Sequence, residues 1–332
     1  MTGRGGVTRA DFAILGPGAL GSILAAHLAR AGHSVIVLAR GERARTLERE
    51  GLRVTGLAEI NIPVRVLTEP ARLEAADCLI VATKTPGTQA ALERLRHVAV
   101  GVAFSVQNGL MKNDLLAAAF GAERVLGALA NTSGELLASG EALFTRNVNL
   151  LLGELDGAAS ERARALAALI DATGVRARAV AQILAWEWSK FVAWLPLMSL
   201  AVTTRAPTWR YLSDPGSALV LVRMVREAAL LARAMGMELT GEGAILPLQA
   251  ILGGSQAQAV DSVLQAGAQF AASAPAHRMS ALQDLQAGRE LEVEETFGYA
   301  VRKAREQQLA VPLLEAFYHL VAAIDRTRHP AD

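Results

Sequence analysis

The stretch Phe12-Ala13-Ile14-Leu15-Gly16-Pro17-Gly18-Ala19-Leu20-Gly21 runs on through an alanine- and leucine-rich segment to Gly32, and then into Ser34-Val35-Ile36-Val37-Leu38-Ala39-Arg40. It reads as strand, glycine turn, helix and strand. Gly-x-Gly-x-x-Gly placed between a strand and a helix is the fingerprint of a dinucleotide site. Gly16 permits the tight turn, Gly18 lets the backbone approach a pyrophosphate, and Gly21 lets helix pack closely on strand. Pro17, Ala19 and Leu20 complete the loop, and the N–H groups of the helix start, at the positive end of its dipole, hold phosphates. The alternative is a tight turn with no ligand; the strands on both sides favour the dinucleotide.

The end of the second strand selects the dinucleotide. NAD and FAD sites place Asp or Glu there to accept from the ribose 2′-hydroxyl, whereas a cation suits a 2′-phosphate. This chain has Ala39-Arg40-Gly41, which points to NADP; Glu42, two residues on, weighs the other way.

The whole chain bounds the reading. Its 332 residues suit two domains, and 52% hydrophobic residues allow a sizeable core. A net charge of +1 gives no electrostatic case for nucleic acid or an anionic membrane. The single cysteine, Cys78, lies in an apolar run, so neither a disulfide framework nor a cysteine-rich metal site is expected. The longest apolar run, Phe191–Val202, is shorter than the roughly 20 residues of a spanning helix. The N-terminus lacks an uninterrupted signal-peptide core. These features predict a cytoplasmic protein acting on a small molecule, with no nucleic-acid or membrane partner and no metal, as a monomer or homodimer.

Along the chain, strand and helix alternate in the first half, and helical spacing prevails from Ala181 onward. The expected architecture is α/β: a Rossmann-type dinucleotide domain over residues 1–172, then an all-α domain over 173–332. Val54 and Ile60–Leu67 read as short strands, open to pairing as a hairpin that covers one side, and Gly134–Leu137 with Ala142–Leu152 as a meander closing the parallel sheet. Ser160 is placed to cap a helix to Thr173. Helices are expected over Ala181–Ala201, kinked at Pro196, and over Ser217–Met235, Gly243–Gly253, Ser255–Ala272, Ser280–Glu306 and Pro312–Arg326.

In an open α/β sheet, ligands meet the carboxyl ends of the strands, so the residues just after each strand matter most. These are Lys84 and Asn108. Lys84 is suited to the cofactor or a substrate anion, Asn108 to a nicotinamide ribose or a substrate oxygen; a surface cation and a turn residue are the plainer readings. In the helical half, Lys190 follows Trp186-Glu187-Trp188-Ser189. A lysine desolvated by such neighbours is a better proton donor near neutral pH; a lysine snorkelling from a helix flank is the commoner case. Only four of the 33 basic residues are lysines: Lys84, Lys112, Lys190 and Lys303. A lysine retained among so many arginines suggests a need that arginine does not meet, chiefly a proton it can give up.

These landmarks together resemble the ketopantoate (2-dehydropantoate) reductases. The marks are Gly16–Gly21, Thr83-Lys84, Gln107-Asn108-Gly109-Leu110, Gly127 with Thr132, and Gly153-Glu154. In the second half they are Trp186, Trp188-x-Lys190, Glu227, Ala234-Met-Gly236, Ser280-x-Leu-Gln-Asp284, Glu292-Val-Glu294, Gly298 and Val311-Pro312. The resemblance implies a Rossmann domain followed by a 6-phosphogluconate-dehydrogenase-like helical domain, NADPH as cofactor, and reduction of a 2-oxo acid to a 2-hydroxy acid in pantothenate biosynthesis. It implies that Gly16–Gly21, Arg40, Lys84 and Asn108 hold NADPH, that Lys190 is the general acid, and that Glu292 sits by cofactor and lysine. Asn108, Lys190, Trp194, Met198, Thr208, Arg278 and Ser280 fall on the substrate side. Trp194, Met198 and Phe297 stand where the family carries asparagines. A site built on amide hydrogen bonds discriminates by them, so their loss points toward a more apolar carbonyl or imine substrate as the alternative. A non-catalytic NADP sensor, needing Gly16–Gly21 and Arg40 but not Lys190, is the second alternative.

Overall fold

The computed structural model of the chain describes residues 8–241 and 244–328. Two compact units divide it: residues up to Asn108 with Lys112–Leu184, and Gly109–Met111 with the chain from Ala185 on.

The first unit runs β1 (Arg9–Leu15), α1 (Ala19–Arg30), β2 (Val35–Leu38), α2 (Gly41–Glu50), β3 (Leu52–Gly56), β4 (Ile60–Ile62), β5 (Arg65–Leu67), β6 (Ala75–Val81), α3 (Thr88–Glu93), β7 (Ala99–Ser105), α4 (Met111–Phe120), β8 (Leu126–Leu136), β9 (Ala142–Glu154), α5 (Glu161–Ala172) and β10 (Ala177–Ala179). One sheet is wholly parallel, in the order β5-β2-β1-β6-β7. Side chains alternate across a strand. Phe12, Ile14, Cys78 and Ile80 therefore feed one core layer with α1, and Ala13, Leu15, Leu79 and Val81 feed another with Leu92, Leu95, Leu116 and Phe120. Helix α1 is buried from Gly21 to Leu28 because β3, β4, β8 and β9 pack on it as well as β1 and β2.

The hairpin expected between Val54 and Ile60 is present, β3 pairing antiparallel with β4, but it stops at Ile62, and β5 joins β2 in the parallel sheet instead. The β8–β9 hairpin does not close that sheet; with β10, β3 and β4 it builds a second one. The compact unit runs on to Leu184. β10 pairs in parallel with β9, and Ile183 fills the space that side chains at Gly127 and Gly153 would need. The expected cap is present: the Ser160 hydroxyl accepts from the Ala163 N–H at the start of α5.

The second unit is helical: α6 (Ile183–Thr204), α7 (Thr208–Leu212), α8 (Pro215–Ala234), α9 (Leu248–Gly253), α10 (Gln256–Ser273), α11 (Ser280–Gln286), α12 (Tyr299–Glu306) and α13 (Pro312–Arg328). Helix α6 is assigned without interruption through Pro196. From Phe191 to Val202 it is buried on all sides, so its long apolar run is core. Of the helix expected over 243–253, Gly243 lies outside the described residues. The long helix expected over Ser280–Glu306 is broken. Gly288 takes φ +67, the carboxylate of Asp325 on α13 accepts from the Leu291 N–H, and the chain re-enters helical form through a π turn at Glu294–Gly298. Among the described residues no helix is long and apolar enough to cross a membrane.

Candidate active site

Parallel strands bring their carboxyl ends to one edge of the sheet. The glycine loop follows β1, Arg40 follows β2, Lys84 follows β6 and Asn108 follows β7. The sequence-derived candidates of the first unit therefore share a rim.

The glycine loop is shaped by what surrounds it. Gly16 has φ +89, and a side chain there would collide with Thr83; one at Gly21 would reach 2.3 Å from the Gly16 carbonyl oxygen. A Cβ at Gly18 would meet nothing within 4 Å. Gly18 is the N-cap of α1, with no side-chain cap and no acidic residue in the first turn. An open space above uncapped helix N–H groups is what a pyrophosphate requires, so these residues fit a dinucleotide. Arg40 is exposed at the N-cap of α2. Glu42, the residue that weighed toward NAD, is engaged by Arg45, whose NH2 donates to its carboxylate at 2.6 Å.

The sequence reading missed three residues that hold this rim. Arg43 grips the glycine loop: Nε donates to the Pro17 carbonyl at 2.8 Å, NH2 to the Ser22 hydroxyl at 2.7 Å and NH1 to the Gly140 carbonyl at 2.7 Å. Burial lowers its pKa, with Glu50 acting the other way. The available signal was helical spacing, which sets Arg43 beside the buried Ala44 and Leu47 of α2. Gln107 is buried; its side-chain amide lies 3.0 Å from the Thr83 hydroxyl, 2.7 Å from the Thr88 hydroxyl and 3.2 Å from the Lys84 carbonyl. Lys112 is also buried and donates to the carbonyls of Gln107 and Ala128.

In the helical unit, Lys190, Trp194 and Met198 follow one another at four-residue spacing along α6, hence on one face. Lys190 is half-buried and Trp194 nearly buried. Met198 and Thr208 are wholly buried and occupied within their own unit. The Met198 sulfur lies 3.8 Å from the Thr296 hydroxyl, which donates to the Glu292 carbonyl. The Thr208 hydroxyl lies 2.9 Å from His277 Nδ1 and accepts from Tyr211. Glu292 is buried just before the π turn, and π turns are frequent at functional sites. Burial lifts the neighbouring Glu295 carboxyl above its ordinary value, and the carboxylates of Glu292, Glu290 and Glu294 add to this. Ser280 opens α11. Arg278 is exposed, with NH1 donating to Gln286 at 2.6 Å. Phe297, at a position where the family carries asparagine, is fully buried core.

A parallel-sheet unit with a dinucleotide-shaped loop, followed by a helical unit carrying the half-buried Lys190, defines the class of two-domain nicotinamide-dependent oxidoreductases. Residues 12–157 match the family Ketopantoate reductase PanE/ApbA and residues 182–325 match Ketopantoate reductase PanE/ApbA C terminal. The chain belongs to the ketopantoate reductase family. It is 28% identical over 312 residues to a 2-dehydropantoate 2-reductase of Archaeoglobus fulgidus, covering 94% of this chain and 97% of that protein. Its fold matches a PanE/ApbA family ketopantoate reductase from Ralstonia eutropha with TM-score 0.81 and 25% identity, covering 96% of this chain and 99% of that one. It also matches the fold of a D-mandelate dehydrogenase solved with NADH and anilino(oxo)acetate, with TM-score 0.82, 17% identity, and 96% and 99% coverage.

Proposed function

We propose that this chain is an NADPH-dependent reductase of a 2-oxo acid, in the first instance 2-dehydropantoate, which it converts to the 2-hydroxy acid. The observation that carries the chemistry is Lys190. It is half-buried on a helix whose following face is entirely core, in a chain that uses arginine for nearly every other positive charge. Gly16–Gly21, Arg40, Lys84 and Asn108 hold the cofactor, Arg40 serving the 2′-phosphate, with Glu42 already engaged by Arg45. When bound, NADPH supplies the hydride. Lys190 donates a hydrogen bond to the substrate carbonyl oxygen, stabilises the negative charge that develops there, and gives up a proton to complete the hydroxyl; water then restores the ammonium. Glu292 positions the lysine, and Arg278 with Ser280 receives the carboxylate end of the substrate.

A second substrate reading rests on Trp194, Met198 and Phe297. Apolar bulk in place of amides favours a 2-oxo acid with an apolar side chain. The D-mandelate dehydrogenase of the same fold, solved with an aryl-bearing oxo acid derivative, lends this reading support.

The test is a panel of 2-oxo acids assayed with NADPH and with NADH. NADPH oxidation with 2-dehydropantoate supports the first reading, and a preference for aryl or branched oxo acids supports the second. Binding without turnover across the panel replaces both with the sensor. Lys190→Met lowers kcat about 10²–10⁴-fold, the range of a general acid, while NADPH still binds; undiminished turnover removes Lys190 from the mechanism.

A further inference from the structure

Two buried polar residues on the sheet rim have no place in the reading above, although it rests on the loops they touch. Gln107 directly precedes Asn108, and its side chain reaches across to the loop that carries Lys84. Its amide lies within hydrogen-bond range of the Thr83 hydroxyl, the Thr88 hydroxyl and the Lys84 carbonyl, while its Oε1 accepts from the Ser105 hydroxyl at 2.9 Å. Thr88 in turn donates to the Lys84 carbonyl at 3.1 Å, and the Val81 carbonyl lies 3.3 Å from the same Ser105 hydroxyl. The ends of β6 and β7 are thus laced together by side chains just where backbone pairing stops. Lys112 completes the lacing from below. Its ammonium donates to the Gln107 carbonyl at 3.1 Å and to the Ala128 carbonyl of β8. Lysine is almost never fully buried, yet Lys112 is only 5% exposed. A compact ammonium with three protons can serve two converging carbonyls, where a planar guanidinium needs a broader site.

The geometry points to Gln107 and Lys112 as positioning residues that act as one clasp. Gln107 sets the Lys84 loop against the Asn108 loop, and Lys112 fixes the peptide from which Asn108 projects. Neither touches the reacting atoms. The inference rests on the reading of Lys84 and Asn108 as ligand-binding residues and adds to it a division of labour. The Gln107 side chain serves the Lys84 loop, so its loss acts on cofactor affinity. Lys112 serves Asn108, which also faces substrate, so its loss acts on turnover with cofactor saturating.

The experiment compares the full-length chain with Gln107→Met, Thr88→Val and Lys112→Met. NADPH affinity is measured by fluorescence titration, kcat and KM on the best oxo acid of the panel, and Tm as a check on folding. Gln107→Met raises the KM and Kd for NADPH about tenfold, the size of one or two lost hydrogen bonds, and regains the unmodified kcat at high NADPH. Lys112→Met lowers kcat by roughly 10- to 100-fold at saturating NADPH, the scale of an ångström-sized misplacement. A purely structural role instead lowers Tm and active fraction while leaving both constants of the folded enzyme in place, and that result overturns the proposal. Thr88→Val removes one hydroxyl of the clasp and decides the matter if Gln107→Met does not fold: a raised NADPH KM supports the clasp and an unchanged one overturns it. Failure of the underlying reading shows separately, as an unmodified protein that binds neither NADPH nor NADH.

Discussion

A methyl group added at Gly18 enters open space, whereas one added at Gly21 meets the Gly16 carbonyl oxygen at 2.3 Å and Ala82 Cβ at 3.1 Å. This contrast separates binding from folding. Gly18 has φ −71 and ψ −154 at the N-cap of α1, an extended conformation open to any residue. Gly18→Ala therefore costs about 0.5–1 kcal/mol of capping preference and regains about as much from the reduced entropy of the unfolded chain. Tm should stay within a few °C, since ~1 kcal/mol corresponds to roughly 2–4 °C at 150–250 residues. In the proposed cofactor site the same methyl stands where a pyrophosphate would approach the helix N–H groups. Loss of one or two hydrogen bonds to a charged partner, about 1.5–3 kcal/mol, weakens NADPH binding by roughly 10- to 100-fold. Gly21→Ala overpacks the helix against the loop and destabilises the fold by about 1–3 kcal/mol or more. The assay is thermal unfolding with and without NADPH, alongside a binding titration. At a hundred times its Kd the cofactor raises the stability of the unmodified protein by about 2.7 kcal/mol; Gly18→Ala keeps the unliganded Tm and loses most of that increment. Unmodified NADPH affinity in Gly18→Ala would refute the placement of the pyrophosphate over this loop.

Two further outcomes are expected. Arg40→Gln weakens NADPH by about 1.5–3 kcal/mol, or roughly tenfold or more, and leaves NADH nearly unchanged; equal losses for both cofactors in parallel titrations would show that Arg40 does not read the 2′-phosphate. His27 makes acid stability fall. Its Nδ1 lies 2.8 Å from the Thr173 carbonyl, its Nε2 is buried without a partner, and burial lowers its pKa from 6.5, assisted by Arg30 and opposed by the Thr173 hydrogen bond. As pH falls below 6.5 the unfolded chain takes up a proton that the folded chain refuses, so stability is lost from 6.5 downward until the lowered folded value is reached. His27→Gln flattens the Tm profile between about pH 7 and pH 5; a profile as steep as that of the unmodified protein would exclude His27 as the cause.

Legibility followed the range of the interaction concerned. The glycine turn, the strands that flank it and the residues just beyond each strand are local features, and the parallel sheet placed all of them on one rim. The second sheet was not legible, because the pairing of β3 with β9 joins Val54 to Ala142 and carries no local signal. The break after α11 was hidden for a related reason: Gly288 hints at it, but the Asp325 carboxylate that receives the Leu291 N–H comes from another helix. On the substrate side the departures from the family pattern were visible as residue types. Their consequence was not, since Met198 and Thr208 turn out to be committed to Thr296, His277 and Tyr211.

The scarcity of lysine carries more than the motifs alone took from it. The four lysines do four different things. Lys303 pairs with Glu306 three residues on along α12, at 2.8 Å, a task an arginine performs equally well. Lys84 is exposed on the rim. Lys190 is half-buried and is the proposed proton donor, and Lys112 is buried against the Gln107 and Ala128 carbonyls, where a compact, multiply donating charge suits. Transferable charge and small size are the two properties that separate lysine from arginine, and the proposed roles of Lys190 and Lys112 divide between them. The compositional bias therefore marked Lys112 as clearly as Lys190. A motif reading reaches a residue through its exposure to ligand, and Lys112 is buried with its ammonium on the backbone carbonyls of Gln107 and Ala128. If the clasp is real, Lys112→Arg fails as Lys112→Met does, because the wider guanidinium cannot enter between Gln107 and Ala128; Lys190→Arg keeps the charge and loses the proton. The first failure is one of size and is indifferent to pH. The second is one of acidity, and in Lys190→Ala, which leaves room for it, part of the activity should return when a small primary ammonium is supplied in solution.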